Sequence, residues 1–471
     1  MKRENKTNNL ILAVPVLERL EASGYEAYLV GGSVRDMLMN ENEMGSGDDS
    51  PDVDVTTDAT PEEVTAVFDE FSVVATGLKH GTVTVLIPGR GNSVTGGYPV
   101  EITTYRRDGT YSDNRHPDNV EFVTSLEEDL KRRDFTINAM AMDVSGELQD
   151  FHGGRKDLAK GVIRAVGDPD RRFNEDALRI MRALRFAAVL ASDKEKQFEM
   201  DTETEAAVFR NKDLLGNVSP ERILVEFRKL IMGRNAGIVI RRYIDVIGIV
   251  IPELLVMKGF DQHNPYHRYD ILEHSIRTME KVRGPEYMKL AALFHDAGKP
   301  ETFFLDEDGI GHMYGHPDAG ERIVREIMGR LKADNATTER VALLVKHHDL
   351  FFRKDERLLK KWMNRYGTEV LLEILEVKRA DNFATGNMSE ELAVKFDEIE
   401  KMIGEIAASG DCFSLKDLVV DGNDLKAIGI KEGKQIGEIL NHLLDKVIDG
   451  EVANVKEELI AEAQNKCRSY D

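Results

Sequence analysis

Cysteine is nearly absent from this sequence, whose 471 residues include only Cys412 and Cys467. The two lie far apart and neither has another cysteine nearby, so a disulfide framework and a zinc ribbon are both excluded. The composition therefore favours a protein of the reducing cytoplasm.

Long apolar runs are also lacking. A membrane-spanning helix needs about 20 consecutive apolar residues, and the best candidate, residues 246–256, is interrupted by Pro252 and Glu253. The short apolar run near the N-terminus is broken by Pro15 and Glu18, which predicts no signal peptide. We therefore expect a soluble protein without a membrane partner.

Positive charge is in deficit, because 63 basic residues stand against 85 acidic ones and give a net charge of −22. This balance argues against histone-like binding to bulk nucleic acid but permits a local basic groove. Hydrophobic residues make up 41 % of the chain, which is typical of globular proteins. At about 150 residues per domain, the length indicates about three domains.

The hydrophobic pattern changes along the chain. Residues 26–150 contain short β-branched runs typical of strands, namely Tyr28–Val30, Asp52–Val55, Thr82–Ile87 and Val100–Thr104. From Asn174 onward helical periodicity dominates. Helix starts are predicted at Thr60-Pro61 and Ser219-Pro220, where a capping residue precedes proline. Two stretches are predicted to be surface loops, residues 40–51 and 89–99.

The first predicted strand runs directly into Gly31 and Gly32, and a helix start containing Arg35 follows. Glycines let a phosphate approach the backbone, a helix N-terminus presents N–H groups to it, and Arg35 adds a cation. A glycine pair alone is more often only a turn. The phosphate interpretation therefore depends on the neighbouring motifs.

Asp52 and Asp54 form such a motif, because residues two apart on a strand point to one face. Two close carboxylates are unfavourable without a cation, and a pair of Mg2+ ions is a standard partner for them. Glu101 adds a third carboxylate within an apolar strand. A D-x-D alone is more often part of a solvated loop, but beside a phosphate loop this set predicts nucleotidyl transfer.

Asn174 is expected to cap a helix that begins at Glu175 and presents Asp176 and Arg179 on one face. A carboxylate plus a guanidinium complements the Watson–Crick edges of cytosine and adenine and mismatches uracil and guanine. The alternative is a plain salt bridge between the two side chains. Five arginines against two acids give this region a local charge of +3 and predict phosphate contact: Arg171, Arg172, Arg179, Arg182 and Arg185.

A second candidate metal site lies downstream. Its ligands are expected on helices and occur in the order His274, His295, Asp296 and Asp381. Imidazole and carboxylate ligands suit Mn2+, Ni2+, Fe2+ or Mg2+. His316 and His347 are candidates for a second metal position.

Six segments follow one another along the chain: Gly31–Asp36, Asp52–Asp54, Gly81–Val83, Glu101, Arg132–Ala139 and Glu175–Arg182. Together they resemble the motif series of bacterial tRNA nucleotidyltransferases, the class II CCA-adding enzymes and poly(A) polymerases. The resemblance implies that Asp52, Asp54 and Glu101 hold Mg2+ for transfer of CMP and AMP, from CTP and ATP, to the 3′ end of tRNA.

The resemblance also implies a role for each nucleotide-binding residue. Asp176 and Arg179 would be the protein template for the base, and Arg133 would bind the triphosphate or sugar while Asp134 holds Arg133 in place. Further nucleotide contacts are implied for Gly31, Gly32, Arg35, Arg182 and Arg185. Residues 106–115 resemble the loop that family members need to switch from C to A addition.

The downstream histidines and aspartates resemble those of the HD phosphohydrolase superfamily. This resemblance implies either a metal-dependent phosphohydrolase acting on RNA ends, such as 2′,3′-cyclic phosphates, or a scaffold that retained its ligands. Further along, Lys426, Lys431 and Lys434 could touch RNA backbone, although such lysines more often belong to a solvated face.

We expect an α+β chain with a nucleotidyltransferase-type mixed α/β head (1–165), a helical neck (166–260), an HD domain (261–390) and a helical tail (391–471). CCA addition to tRNA in the cytoplasm is the expected function. The alternatives are a poly(A) polymerase, an A-only tRNA nucleotidyltransferase, a phosphohydrolase of RNA ends and a non-catalytic RNA-binding module.

Overall fold

The computed structural model describes residues 9–40, 53–77, 81–88, 97–109, 119–193, 196–263, 268–385, 390–430 and 433–468. The chain divides into two compact units, Met1–Pro252 and Glu253–Asp471. This division falls eight residues before the predicted end of the neck. The finer division into head, neck, HD domain and tail stays a prediction.

The N-terminal unit is built on a seven-stranded sheet with the strand order β3-β4-β5-β2-β1-β8-β9. Its strands are β1 (Ala27–Val30), β2 (Val53–Thr57), β3 (Ser72–Gly77), β4 (Thr82–Ile87), β5 (Tyr98–Thr104), β8 (Ala141–Met142) and β9 (Leu148–Gln149). Short pairs outside this sheet are formed by β6 (Arg106–Asp108) with β7 (Val120–Phe122), by β10 (Val162–Ile163) with β13 (Glu199–Met200) and by β11 (Ala191–Asp193) with β12 (Lys196–Gln197).

The strands form where the β-branched runs predict them, and burial alternates along the central strands. On β2, Val53 and Val55 are 1 % exposed and the intervening Asp54 is half-buried. On β5, Val100 and Ile102 are fully buried while Glu101 is exposed. The apolar side chains therefore face the core, and the acidic side chains lie on the opposite face.

Helices surround this sheet and then continue alone. They are α1 (Asn9–Ala22), α2 (Gly32–Asn40), α3 (Pro61–Val67), α4 (Leu126–Lys131), α5 (Gly154–Lys160), α6 (Pro169–Glu175), α7 (Leu178–Val189), α8 (Thr202–Asn211), α9 (Pro220–Ile231) and α10 (Ala236–Ile247). The capping box predicted at Thr60 is present. Proline opens α9 as expected, but the Ser219 side chain makes no capping hydrogen bond.

One local prediction in this unit is wrong. Asn174 caps no helix but lies in the last turn of α6, because Asp168 accepts the Arg171 N–H and Pro169 supplies the first helical residue. The chain then breaks at Asp176, and α7 begins at Leu178. After Asn174 helices dominate as predicted, and the only described strands of this unit there are β11, β12 and β13, between residues 191 and 200.

In the described part of the C-terminal unit, the only strands are those of a hairpin, β14 (Phe304–Leu305) and β15 (Gly311–His312), and helices make up most of the rest. Its helices are α11 (Glu253–Met257), α12 (Ile271–Lys281), α13 (Glu286–Phe294), α14 (Lys299–Thr302), α15 (His316–Arg330), α16 (Asn335–His347), α17 (Glu356–Tyr366), α18 (Thr368–Ala384), α19 (Glu390–Ser409), α20 (Gly422–Ala427), α21 (Lys434–Ile448) and α22 (Lys456–Arg468). Residues 412–463 form a hydrophobic cluster of their own, which suits the predicted helical tail.

Several predictions concern segments that are only partly described. Asp52 and Lys431, most of the loops at 40–51 and 89–99, and residues 110–115 lie outside the described residues. Both cysteines are free thiols, as the sequence predicts. Among the helices that the structure describes, none combines the length and apolar character that crossing a bilayer requires.

Candidate functional site

Two of the three predicted metal carboxylates, Asp54 and Glu101, meet at the centre of the sheet. β2 and β5 pair in parallel, and their register places Asp54 directly opposite Glu101. Residues in register on neighbouring strands lie about 5 Å apart and point to the same face. Asp52, the third predicted carboxylate, lies outside the described residues. The donor set is therefore made of hard carboxylate oxygens, which fits Mg2+.

Gly31 faces this carboxylate pair from the turn between β1 and α2. Its φ of +72° lies in the left-handed region, which favours glycine. A Cβ at this position would lie 3.2 Å from Arg133 Nη1 and 3.6 Å from Asp54 Oδ2. The glycine therefore keeps open the space between a cation and a metal carboxylate, as a phosphate loop requires.

Arg133 is the cation of this space. Its nearest acidic partner is the fully buried Asp129, 3.6 Å away. Burial is the largest influence on Arg133 and lowers the pKa of its guanidinium, although Asp129 and Asp54 act in the opposite direction. The nearby acids therefore do not fully compensate this cation, and an anionic ligand is favoured beside it.

The expected role of Asp134 as the holder of Arg133 is not what the structure shows. Asp134 accepts hydrogen bonds from Arg182 Nε at 2.7 Å and from the Asn138 amide at 3.2 Å. Burial opposes ionisation of Asp134, but Arg182 and Arg179 outweigh it and hold the pKa of this carboxyl at about 2. The side chain that lies against Arg133 is instead Asp129.

Asp129 was not found by the sequence analysis. It accepts hydrogen bonds from Thr56 Oγ1 at 3.2 Å, from the Arg106 backbone N–H at 3.3 Å and from Arg132 Nε at 2.9 Å. One buried carboxylate thus connects the Asp54 strand, the first residue of the predicted switching loop and the Arg132-Arg133 motif. Its spacing three and four residues before two arginines was the available signal.

Arg35 extends the same network towards α7. Its Nη1 donates to Asn138 Oδ1 at 2.7 Å, and Asn138 in turn donates to Asp134. The guanidinium carbon lies 5.2 Å from the centre of the Phe186 ring. Arg185 lies over the same ring at 4.3 Å and pairs with Glu226 at 2.7 Å. The predicted nucleotide-binding arginines Arg35, Arg182 and Arg185 therefore belong to one connected network.

The local charge of +3 predicted for residues 171–185 is largely compensated in space. Glu175 lies within 3.1 Å of Arg171, Arg172 and Arg179. Asp134 and Glu226, from distant parts of the sequence, pair with Arg182 and Arg185. The segment is therefore a structured ion network rather than an open cationic patch.

Asp176 and Arg179 do not use each other as salt-bridge partners. Asp176 accepts from Arg222 of α9 at 2.8 Å and from the Leu178 N–H at 3.1 Å. Arg179 donates to Glu175 at 2.9 Å and to the Arg132 carbonyl at 3.0 Å. Each member of the predicted template pair is thus held separately by neighbours that the sequence did not indicate.

The C-terminal unit brings the predicted histidine and aspartate ligands together. We call this set the HD cluster: His274, His295, Asp296, His316, His348 and Asp381. His274 Nε2 lies 2.9 Å from Asp381 Oδ1. Ligand atoms of His274, His295 and Asp296 lie within 4.8 Å of one another, and so do those of Asp296, His316 and His348. Asp296 belongs to both groups and can bridge two cation positions.

Two details of this cluster differ from the prediction. His348, which is 2 % exposed, takes the place expected for His347. His347 lies at the C-terminus of α16 and contacts the Tyr366 hydroxyl instead, so the next residue reaches the cluster. His295 and Asp296 follow the end of α13 rather than lying inside it.

The imidazoles of the cluster are oriented as metal ligands. The Nδ1 atoms of His295, His316 and His348 each lie within 2.9 Å of a backbone carbonyl three residues earlier. A carbonyl oxygen only accepts, so each Nδ1 carries a proton, and Nε2 is the ring atom left to bind a metal. His316 Nε2 and His348 Nε2 face each other at 3.2 Å. Two facing lone pairs are stabilised by a cation between them.

The electrostatics of the cluster divide its rings into two kinds. Burial lowers the pKa of both His316 and His348, which keeps these rings neutral. Burial also opposes a charge on His295, but Asp296 and Asp381 outweigh it and raise the pKa of His295 to about 10. The carboxylates therefore favour positive charge at this point, which a proton on His295 Nε2 supplies and a bound divalent cation would supply in its place. Lys299, three residues after Asp296, lies with its Nζ 2.7 Å from Asp296 Oδ2.

Known families match three parts of this chain. Residues 27–164 match the poly A polymerase head domain, and residues 197–247 match a segment described as the probable RNA and SrmB-binding site of polymerase A. Residues 318–463 match a domain described as tRNA nucleotidyltransferase domain 2, putative. The first match spans the sheet that carries Asp54, Glu101 and Arg133.

Curated relatives extend the likeness over the whole chain. A CCA-adding enzyme of Ligilactobacillus salivarius is 34 % identical over 465 residues, which cover 98 % of each chain. A CCA-adding enzyme of Leuconostoc citreum is 49 % identical over 237 residues, which cover 50 % of this chain and 53 % of that protein.

Solved structures show the same likeness. The crystal structure of the Bacillus stearothermophilus CCA-adding enzyme in complex with CTP is 29 % identical, with a TM-score of 0.69, and the match covers 98 % of this chain and 99 % of that chain. The Thermotoga maritima CCA-adding enzyme complexed with tRNA shares the fold at 20 % identity, with a TM-score of 0.56, over 97 % of this chain and 95 % of that chain.

Proposed function

The chain belongs to the CCA-adding enzyme family, and on this premise we propose that it adds CMP, CMP and AMP, from CTP and ATP, to the 3′ end of tRNA. The observation that supports this most strongly is the parallel register that sets Asp54 opposite Glu101, beside Gly31 and Arg133. A nucleotide triphosphate placed there meets a glycine backbone, a cation and a carboxylate set on one face of the sheet.

In the proposed reaction, the terminal 3′ hydroxyl oxygen forms a bond to the α-phosphorus of the nucleotide. The bond from that phosphorus to the bridging oxygen breaks, pyrophosphate leaves, and the hydroxyl proton is released. Asp52, Asp54 and Glu101 would hold two Mg2+ ions, which supply charge neutralisation and a lowered hydroxyl pKa when bound. Gly31 admits the triphosphate to the backbone, and Arg133 orients it.

The protein itself would select the base. Asp176 and Arg179 are held by Arg222 and Glu175 in positions fixed by three different helices. A fixed carboxylate and guanidinium complement the edges of C and A, whereas U and G present a carbonyl beside a ring N–H. Addition therefore needs no nucleic-acid template.

The test uses labelled CTP, ATP and a tRNA that ends before CCA. Wild type is expected to incorporate CMP and AMP with Mg2+, whereas Asp54→Asn and Glu101→Gln lose at least 100-fold in rate. The matched control Glu147→Gln changes an exposed carboxylate in the loop before β9 and keeps the wild-type rate. Long A tracts without CTP use would identify a poly(A) polymerase, and tRNA binding without pyrophosphate release would identify a binding module.

We propose a second activity for the HD cluster, hydrolysis of phosphate esters at RNA ends, with 2′,3′-cyclic phosphates as substrates. The specific observation is the set of imidazoles whose Nε2 atoms converge on Asp296. The donors fit Mn2+, Ni2+, Fe2+ or Mg2+. Such an ion lowers the pKa of its bound water and so supplies a nucleophile near neutral pH.

In this hydrolysis, the water oxygen forms a bond to phosphorus and one phosphorus–oxygen bond of the ring breaks. The water proton ends on the released ribose oxygen. Backbone carbonyls keep a proton on Nδ1 of His295 and His348. The Lys299 ammonium group pairs with the Asp296 carboxylate.

Hydrolysis of 2′,3′-cAMP is assayed with Mg2+, Mn2+ and Ni2+. His295→Ala is expected to abolish hydrolysis, while Asp54→Asn, in the other unit, preserves it. His442→Ala removes a histidine that pairs with Glu462 of the tail and serves as the matched control. A wild type that hydrolyses nothing with any of these metals makes the HD cluster a scaffold.

A further inference from the structure

An exposed aromatic surface lies next to the HD cluster. We call Phe304, His312 and Tyr314 the aromatic platform. The His312 and Tyr314 rings stack with their centres 5.3 Å apart at 21°, and Phe304 contacts both rings at 5.4 and 5.7 Å. Tyr314 is nevertheless 73 % exposed and Phe304 is 46 % exposed. Large rings that pack on each other and leave their outer faces in solvent are suited to stacking a ligand.

The platform is attached rigidly to the metal-binding residues. A Cβ at Gly311 would lie 2.0 Å from the Gln262 carbonyl oxygen, so this strand packs directly on that backbone. The Gln262 side chain is buried and accepts from Lys299 Nζ at 3.0 Å, and Lys299 lies 2.7 Å from Asp296. Tyr314 is also only two residues before His316 of the cluster, which limits their Cα separation to about 7 Å.

The charges of the hairpin indicate how a ligand would lie. The acids Asp306, Glu307 and Asp308 lie in the turn between the two strands, away from the Tyr314 end. Asp306 is engaged within the hairpin, where it pairs with His312 Nε2 at 2.7 Å and accepts the Ile310 N–H at 2.8 Å. Phosphates are repelled at the turn, and a divalent cation held by the imidazoles and carboxylates of the cluster would attract them at the other end.

We propose that the aromatic platform stacks the base of a nucleotide whose phosphate ester is hydrolysed at the HD cluster. The inference rests on the second proposed function and restricts its substrate class. The preferred substrates are nucleotides and RNA ends, while phosphate esters without a base are poor substrates. Stacking accepts every base, because all bases present a π-face, so the platform selects for a base without reading its identity.

One experiment measures where the base of a bound RNA end lies on the protein, and it requires neither a metal ion nor hydrolysis. A short RNA with 5-iodouridine as its 3′-terminal nucleotide is irradiated with the full-length protein in EDTA, and the crosslinked peptide is identified by mass spectrometry. We expect a crosslink to Tyr314 or His312, and its loss in Tyr314→Ala. Because Tyr314 is so exposed, the thermal unfolding temperature of this variant should match the wild type.

A second experiment separates the base from the phosphate. Hydrolysis of 2′,3′-cAMP is compared with that of methyl riboside 2,3-cyclic phosphate, which has no base. Tyr314→Ala is expected to raise the KM for 2′,3′-cAMP roughly 5- to 150-fold with little change in kcat. It should leave the base-free substrate unaffected, and Tyr314→Phe, which keeps the ring, should restore the wild-type KM.

The possible failures are distinguishable. If wild type hydrolyses neither substrate but the crosslink maps to Tyr314, the platform stands and the hydrolase proposal fails. If hydrolysis is robust but Tyr314→Ala keeps the KM for 2′,3′-cAMP, the platform proposal is overturned. Crosslinks confined to the N-terminal unit, or a Tyr314→Ala variant that loses only self-association, also overturn it.

Discussion

Arg222 lies on α9, well away in sequence from the α6–α7 junction, yet it determines where Asp176 points. Its Nη2 donates to Asp176 at 2.8 Å. Removing either side chain should therefore relax base selection. Loss of Asp176 deletes the acceptor that would contact the base, and loss of Arg222 lets the Asp176 carboxylate move out of position. A lost polar contact to the base costs the correct nucleotide roughly 1–3 kcal/mol.

The measurement is the ratio of kcat/KM for CTP and ATP to that for UTP and GTP. Asp176→Ala and Arg222→Ala should each lower this ratio roughly 5- to 150-fold. Lys229→Ala, an exposed cation on the same helix, is the control and should leave the ratio unchanged. If Asp176→Ala keeps the wild-type ratio, the Asp176 carboxylate does not read the base and its role is only structural.

Asp134 gives a prediction about stability and pH. Its pKa is about 2 in the folded protein against an ordinary value of 3.8, so the folded state binds a proton more weakly than the unfolded state. The resulting contribution, about 2 kcal/mol, is present above pH 4 and is lost as the pH falls towards 2. Asp134→Asn should lower the free energy of unfolding by about 3 kcal/mol at pH 7, and the difference should narrow in acid.

Urea unfolding of the N-terminal unit, followed from pH 7 to pH 3, tests this prediction. Glu70→Gln is the control, because Glu70 is an exposed carboxylate paired with Arg19 and contributes little. Parallel stability curves for wild type and Asp134→Asn across this range would contradict the role assigned to Asp134.

The sequence predicts which residues belong to the candidate sites better than it predicts which side chains those residues contact. Asp54, Glu101, His274, His295, Asp296 and Asp381 lie where their motifs suggest. Their environment depends on side chains that approach from distant segments, such as Arg222 and Glu226, and no local spacing shows these. His348 rather than His347 reaches the cluster because of the rotation of the chain at the end of α16. The sequence offers two adjacent histidines and does not show which of them faces the cluster.

At the scale of elements, Gly298 controls how the HD cluster is assembled. A Cβ at this position would lie 2.2 Å from the His316 carbonyl oxygen and 2.5 Å from the Gly320 N atom, both rigid backbone. Gly298→Ala should push the start of α15 away from His295 and Asp296. We expect a loss of about 2 kcal/mol or more in stability and at least tenfold weaker Mn2+ binding.

Calorimetric unfolding and isothermal titration with Mn2+ measure these two effects. Gly329→Ala, in the last turns of the same α15, meets nothing within 4 Å and should be neutral or slightly stabilising. Equal behaviour of the two variants would show that α15 tolerates displacement at its N-terminus.

Elements themselves were predictable where the local signals were strong. The strands and the Thr60 capping box follow directly from β-branched runs and cap chemistry. The start of α6 was misplaced because Asp168-Pro169 is a stronger signal than Asn174. The hairpin of β14 and β15 was overlooked within a helical region, although acids and Gly309 between apolar residues are a turn signal.

At the scale of the whole molecule, the two units should respond to different ligands. A ligand at 100 times its Kd stabilises the state that binds it by about 2.7 kcal/mol. CTP with Mg2+ should raise the unfolding temperature of the N-terminal unit, and Mn2+ alone that of the C-terminal unit. Scanning calorimetry of wild type, Asp54→Asn and His295→Ala assigns each shift in unfolding temperature to one unit. Asp54→Asn should lose only the shift caused by CTP with Mg2+, and His295→Ala only the shift caused by Mn2+. Loss of both shifts in either variant would contradict separate sites.

The parallel pairing of β2 with β5 has a consequence for the order of folding. β3, β4 and β5 follow one another as antiparallel neighbours, so they can form with short loop closures. The β2–β5 pairing joins distant parts of the chain and is slow by comparison, because non-local contacts carry a larger entropic cost. Asp54 and Glu101 become neighbours only at this late step. A newly synthesised chain therefore lacks the paired carboxylates until β2 and β5 pair, so its metal-binding face forms only after the antiparallel strands are in place.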